Sequence, residues 1–189
     1  MKALEDKILA EGQNLGQGIL KVDSFVNHQV DPALMFDCGA EFARLFSGVG
    51  ATKVLTAEIS GIAPALATAY ALRIPVVYAR KTKPITMPDT VFLTTAPSHT
   101  KKRDVEIMAS PEYLSTGERV LIIDDFLASG QTILALARIA KAAGAEIVGI
   151  GALIEKTFEG GRASLGVLGV PIHALARISD MSEGRIIFG

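Results

Sequence analysis

Among 189 residues the sequence has a single cysteine, Cys38. That excludes an internal disulfide and a cysteine-built zinc site, and it points to a reducing cytoplasm. Cys38 falls on an apolar helical face and reads as a small buried hydrophobe. There is no excess of charge either: 19 basic side chains face 20 acidic ones, for a net charge of −1. No global electrostatic case exists for nucleic acid or for an anionic membrane surface. The one basic cluster, Lys101-Lys102-Arg103, is short and reads as a solvated loop. Although 49% of the residues are hydrophobic, no apolar run is long enough to cross a bilayer. The first eleven residues mix Lys2, Glu5, Asp6, Lys7 and Glu11 with Leu4, Ile8 and Leu9. That is an amphipathic helix without the apolar core of a signal peptide. His28, His99 and His173 lack partners at triad or metal spacing and read as structural.

What the chain has is length and pattern. It is long enough to bury one proper core, with no repeat, low-complexity tract or linker, so one domain over residues 1–189 is expected. The organising stretch is VLIIDDFLASGQT, residues 120–132. Val120, Leu121, Ile122 and Ile123 are too few for a helix and rich in β-branching; they read as a strand buried on both faces. Asp124 and Asp125 follow at its C-terminal end, then a turn of small residues, then the apolar-periodic run of residues 133–143.

A compact turn leading into a helix offers backbone N–H groups and the positive end of a helix dipole, which suit a phosphate. Gly130 lets the backbone approach a ligand closely, and Ser129 and Thr132 add hydroxyl donors. The two carboxylates would repel a phosphate. They suit neutral hydroxyls, or the neighbourhood of a metal. A ligand carrying a phosphate and a vicinal diol, such as a ribose 5-phosphate, satisfies both halves. Taken alone, the same residues also describe a plain capped βα turn.

Upstream, residues 18–30 read as a looped, partly extended segment. Asp31 and Pro32 read as N-cap and first-turn proline of a helix over 33–46, with Leu34, Cys38, Phe42 and Leu45 on one face. Residues 53–56 read as a strand, Glu58-Ile59-Ser60-Gly61 as a second strand-to-helix turn, 62–72 as a helix and 75–79 as a strand. This alternation predicts an α/β fold, a mostly parallel twisted sheet flanked by helices on both faces. Residues 90–95 and 104–109 alternate as strands around a polar stretch, which predicts an antiparallel flap inserted over about 80–110. Residues 146–154, 173–178 and 185–188 read as later strands, and Gly160-Gly161 opens a short helix.

Ligands of an open parallel sheet bind beyond the C-terminal ends of its strands. Residues 58–61, Arg80 and Lys81, residues 124–132 and residues 155–158 should therefore converge. Two glycine-containing turns would hold two separate anions, and Arg80 or Lys81 could neutralise one. A phosphate at one end and a pyrophosphate at the other describe phosphoribosyl pyrophosphate. Glu58 sits where the pyrophosphate belongs, so it either turns away or meets a metal. Lys156, just past a strand, could donate to a purine 6-oxo group; adenine carries an amine there, a poor partner for a donor-only cation. Asn27 could donate to a 2-oxo group. Read alone, Lys156 is a surface lysine and Asn27 a turn residue.

The 120–132 string closely resembles the phosphoribosyl pyrophosphate motif of the type I phosphoribosyltransferases: four hydrophobic residues, two acidic ones, and a small-residue loop ending in Thr. The resemblance spans nearly the whole chain. Residues 20–32 (LKVDSFVNHQVDP), Ser60-Gly61-Ile62-Ala63-Pro64, Ile154-Glu155-Lys156 and Ala176-Arg177-Ile178 are similar to segments of the xanthine-using members. It implies the type I phosphoribosyltransferase fold, with a small hood built from about residues 1–32 and 155–189. It also implies roles. Asp124 and Asp125 hold the ribose hydroxyls and, with Lys81, form the catalytic group. Ala128, Ser129, Gly130, Gln131 and Thr132 hold the 5-phosphate, and Ser60 and Gly61 complete the site for phosphoribosyl pyrophosphate. Leu20, Asn27 and Lys156 contact the purine. Mg2+ is expected to arrive with phosphoribosyl pyrophosphate, not tightly bound to the protein. The implied activity is purine salvage, transfer of the 5-phosphoribosyl group to N9 of xanthine to give xanthosine 5'-monophosphate and pyrophosphate. A cytoplasmic homodimer without nucleic-acid or membrane partners is the implied setting. Adenine-using enzymes of the family are the nearest rivals, and Lys156 and Asn27 argue against them. A regulator that keeps the fold and binds DNA would need a basic module before the core. The roughly fifty residues ahead of the first core strand lack one.

Overall fold

The computed structural model describes residues 1–98 and 103–189. His99, Lys101 and Lys102, read above as a structural histidine and part of a solvated loop, lie outside the described residues. The chain opens with helix α1 (Lys2–Glu11) and a short antiparallel pair, β1 (Gln13–Asn14) and β2 (Leu20–Lys21). Helix α2 (Pro32–Leu45), β3 (Lys53–Ala57), α3 (Ile62–Leu72) and β4 (Val76–Ala79) follow. Then come the antiparallel β5 (Phe92–Ser98) and β6 (Arg103–Ala109). β7 (Arg119–Leu127), α4 (Gln131–Ala142), β8 (Glu146–Lys156), α5 (Gly161–Leu165), β9 (Ile172–Asp180) and β10 (Ile187–Phe188) complete the chain.

The main sheet has six strands in the order β10-β9-β8-β7-β3-β4, all parallel except the β10 edge. β7 runs down its middle, and the period-two rule explains its apolar run. Leu121 and Ile123 point into one core with Phe42 of α2, while Val120 and Ile122 point into the other with Ile133 and Ile139 of α4. Both faces are buried, so no polar alternation survives in the sequence. α2 starts as its residues require. Asp31 Oδ1 accepts from the Leu34 N–H at 3.1 Å, and Pro32 fills the first turn. Leu34, Cys38 and Phe42 are buried as their spacing demands, with Leu45 half-buried beside them. In α1 the inward residues are Leu4 and Ile8, whereas Leu9 is exposed.

Two expectations need correction. The acidic pair does not follow the strand but lies within it: β7 continues to Leu127, because β8 extends to Lys156 and supplies partners for Phe126 and Leu127. Residues 18–30 are more ordered than a loop, since Asp23–Asn27 form a wide helical turn in which the His28 N–H reaches Asp23 O at 3.2 Å. The inserted arm is the antiparallel pair that the sequence predicts, and it packs against the core. Ala96, Ile107 and Ala109 are buried in the core beneath α4, and Arg138 of α4 donates to Thr94 Oγ1 at 2.9 Å and Thr95 O at 2.7 Å. At its other side the Arg80 and Met108 backbones exchange hydrogen bonds.

Candidate active site

The C-terminal ends of β4, β3, β7 and β8 lie side by side, and each carries one of the sequence-marked segments. Ser60, Gly61 and Lys81 line a cavity of about 150 Å³ together with Asp124, Asp125 and Thr132. A second cavity of about 200 Å³ is lined by residues 124–126 and 128–133. Asp124, Asp125 and Thr132 belong to both, so the two hollows meet at the acidic pair.

Each turn is built around a glycine. Gly130 has φ +80°, a left-handed conformation that L side chains disfavour, and it opens α4. That helix points its N-terminal amides and the positive end of its dipole at the second cavity. Gly61 has an ordinary helical φ of −67°, and its requirement is steric. A Cβ there would lie 2.3 Å from Thr56 Oγ1 and 2.6 Å from Asp124 Oδ1. The absent side chain is what lets the 58–61 turn close over the acidic pair.

Asp124 is 5% exposed, and its Oδ1 accepts from the Asp125 N–H at 3.1 Å. Burial, and after it the charge of Asp125, pushes the Asp124 carboxyl well above the usual aspartate range. Burial also raises Asp125. Lys81 acts in the opposite sense on both, placing its ammonium among the charges that bear on the pair. The pair therefore holds a proton more firmly than two surface aspartates do, and it is poised to accept hydrogen bonds from neutral hydroxyls.

The position of Glu58, open from sequence, is determined by its partners. Its carboxylate lies 2.6 Å from Arg80 Nε and accepts from the Lys81 N–H at 2.5 Å. Glu58 is one of the residues lining the cavity of about 150 Å³, with its carboxylate engaged by these two partners. Arg80, considered above as an anion partner, is instead neutralised by it. Lys81 keeps its side chain for the cavity.

At the other end, the Lys156 ammonium donates to Gly18 O at 2.6 Å, lies 3.3 Å from Glu159 Oε1 and stands 5.4 Å above the Phe126 ring. The lysine does pair with a carboxylate, as its plainest reading expects, but it also ties β8 to the N-terminal segment that carries Leu20. Leu20 is buried in β2. Asn27, at the end of the wide turn, has its Oδ1 buried without a hydrogen-bond partner among the described residues. The two chain ends are joined here as well: Asn14 Nδ2 donates to Met181 O at 2.7 Å and Arg185 O at 2.9 Å.

Sequence reasoning missed Thr56, whose buried Oγ1 has no partner among the described residues and adjoins Gly61 and Asp124. A lone Thr inside an apolar strand was the available signal. It also missed Phe126 and Gly18, whose roles depend on strand register and on a long-range contact that no local pattern encodes.

A family model described as the phosphoribosyl transferase domain matches residues 40–163. A protein of Deinococcus deserti named xanthine phosphoribosyltransferase is 52% identical over 184 residues, covering 97% of this chain and 95% of its own length. One of the same name from Latilactobacillus sakei is 48% identical over 188 residues, covering 100% and 96%. Among solved structures, adenine phosphoribosyltransferase from Thermoanaerobacter pseudethanolicus is similar at 25% identity and TM-score 0.73, over 92% of this chain and 99% of that one. The Giardia lamblia enzyme, solved with 9-deazaadenine, is similar at 23% identity and TM-score 0.76, over 94% and 98%; at that identity the likeness bears on the fold alone.

Proposed function

Because the chain belongs to the phosphoribosyltransferase family, we propose that it makes xanthosine 5'-monophosphate, transferring the 5-phosphoribosyl group of phosphoribosyl pyrophosphate to N9 of xanthine. The observation that carries this reading is the meeting of two anion-suited cavities at a buried acidic pair. The 5-phosphate sits on the residue 128–132 turn, and the pyrophosphate sits at Ser60, Gly61 and Lys81. Asp124 and Asp125 accept hydrogen bonds from the ribose hydroxyls between them.

The N9 lone pair forms the new bond to C1 of the ribose. The C1–O bonding pair leaves with pyrophosphate, and the N9 proton goes to solvent. Positive charge grows on the sugar as the bond breaks, and the two carboxylates face it. Negative charge grows on the leaving group, where the α3 turn amides and Lys81 oppose it. Most of the acceleration comes from holding the sugar, base and leaving group in line. Specificity belongs to the other end of the groove. Lys156 donates to the 6-oxo group, taking the place of one of its present acceptors, while Asn27 and Leu20 meet the opposite edge and face of the purine.

Mg2+ fits this site as a companion of the diphosphate. Its preferred ligands are oxygens, and the partly exposed Asp125 carboxylate beside Ser60 and Gly61 is a hard donor of that kind. Among the described residues no three His, Cys, Asp or Glu side chains are grouped to hold a bare ion. Bound there, Mg2+ would neutralise the leaving group. No helix among the described residues is long and apolar enough to cross a membrane. We further propose a cytoplasmic homodimer of one phosphoribosyltransferase domain, with a hood formed by the two chain ends and the β5–β6 arm as its flap.

The test supplies phosphoribosyl pyrophosphate and magnesium with xanthine, guanine, hypoxanthine or adenine in turn and follows nucleotide formation. Xanthine is expected to be turned over best. Preference for adenine would overturn the base assignment. Tight binding of the sugar without turnover of any base would replace the enzyme by a sensor.

A further inference from the structure

A charge network lies beneath the phosphate turn that neither the sugar clamp nor the base end uses. Glu155 is 2% exposed and stands next to Lys156 at the end of β8. Arg162 grips it with both arms of its guanidinium: Nε donates to Oε1 at 2.8 Å and Nη2 to Oε2 at 2.6 Å. Arg162 Nη1 also donates to Ile172 O at 2.9 Å, and Arg177 Nε approaches Oε2 at 3.3 Å. A bidentate fork fixes orientation as well as distance, which a point charge does not.

The residue before Arg162 is the one on which the phosphate turn rests. A Cβ on Gly161 would lie 2.1 Å from Ala128 O and 2.8 Å from the Gly130 nitrogen. From the other side, a Cβ on Gly130 would lie 3.1 Å from Gly161 O. Backbone therefore meets backbone with nothing between, and any shift of residue 161 is passed to the turn. The position of residue 161 is in turn held by the fork one residue on.

We propose that Glu155 and Arg162 are a positioning pair for the 5-phosphate. They hold Gly161 at the height that presents the Ala128, Ser129 and Gly130 backbone to the ligand, on the same strand end that carries Lys156. This rests on the reading of that turn as the 5-phosphate site. If the network merely fastened α5 to the sheet, its loss would lower stability and leave ligand affinities of the folded protein alone.

The test measures dissociation constants for ribose 5-phosphate and for pyrophosphate with magnesium, by titration calorimetry on the full chain. Arg162→Gln is expected to weaken ribose 5-phosphate by about tenfold or more, as misplacement of a positioned contact does, with pyrophosphate changed less than about twofold. Arg162→Lys, which keeps the charge without the fork, should fall between. If Arg162→Gln does not fold, Glu155→Gln carries the same comparison with an isosteric side chain. Gly161→Ala presses on the turn without touching the network and should reproduce the selective loss. Unchanged ribose 5-phosphate binding in folded Arg162→Gln, or in Gly161→Ala, overturns the proposal, as does equal weakening of both ligands. Failure of the unaltered protein to bind ribose 5-phosphate at all would instead remove the phosphate reading, and the pair would have nothing to position.

Discussion

Gly61→Ala isolates the steric argument at the centre of the site. The new Cβ would meet Thr56 Oγ1 at 2.3 Å, Asp124 Oδ1 at 2.6 Å and Ala57 O at 3.1 Å. Ordinary contact is near 3.4 Å, so relief needs a movement of about 1 Å, and filled cores resist such movement. Thr56 cannot supply it easily, because its χ1 is stiff and β3 is hydrogen-bonded to β4 and β7 on its two sides. The Asp124 carboxyl moves, or the 58–61 turn lifts. Backbone preference does not oppose the change, since φ −67° is the helical value that Ala favours. Overpacking of this kind costs ~1–3 kcal/mol, and each kcal/mol lowers Tm by ~2–4 °C in a chain of this size. Displacing a catalytic contact by about 1 Å costs on the order of 100-fold in rate. The assay is pyrophosphate release from phosphoribosyl pyrophosphate and xanthine, run beside a thermal melt. A variant with kcat/KM within about threefold of the unaltered protein, where the displacement predicts about 100-fold, would refute the close packing of the turn on Asp124.

The acidic pair should set activity against stability. Because burial raises Asp124, the folded chain binds more protons than the unfolded chain between the ordinary value of 3.8 and the raised one, so stability falls as pH rises through that window and stays lower above it. Asp124→Asn should therefore melt higher than the unaltered protein at neutral pH, lose that advantage as pH falls towards about 4, and turn over no substrate; a melting difference independent of pH would refute the buried-charge account. Lys156→Ala would remove the proposed charge-assisted hydrogen bond to the purine, worth ~1.5–3 kcal/mol, so the KM for xanthine should rise by about 10- to 150-fold with little change for phosphoribosyl pyrophosphate. Equal loss of both would take Lys156 out of the base end. Burial pushes the Cys38 thiol up to about 12, so a thiol reagent at mildly alkaline pH should label it only on unfolding in urea. Labelling of the native chain at a free thiol's rate would contradict its packing in the core.

Local chemistry made much of this legible. The β-branched run of 120–123 announces a strand buried on both faces, Asp31-Pro32 a helix start, and Gly130 a turn with positive φ. What escaped depends on pairing between distant segments. The end of β7 could not be read, because Phe126 and Leu127 stay in the sheet only through Ile154 and Glu155 of β8. Arg80 and Lys81 look alike in sequence. Register then gives one of them Glu58 as a partner and leaves the other for the cavity. Thr56 is the plainest case, a polar residue in an apolar strand whose meaning lies in Gly61 and Asp124.

Strand order explains why the sugar motif is local and base recognition is not. From β4 through β3 and β7 to β8 there are three inter-strand steps, a span of about 14 Å at the usual spacing. Across that span lie Lys81, then Ser60 and Gly61, then Asp124 with residues 128–132, then Lys156, the order that the proposed leaving-group, sugar and base ends require. The proposed sugar clamp needs one strand and one turn, so thirteen consecutive residues can encode it. The proposed base end is the seam between β8 and the N-terminal segment, where Lys156 meets Gly18 across 138 positions of chain. On the proposed reading, residues on both sides of that seam change together when base preference changes, while the β7 turn stays as it is. Base exchange should accordingly be sought in paired substitutions at the seam, and single changes at either side alone should lose xanthine without gaining another purine.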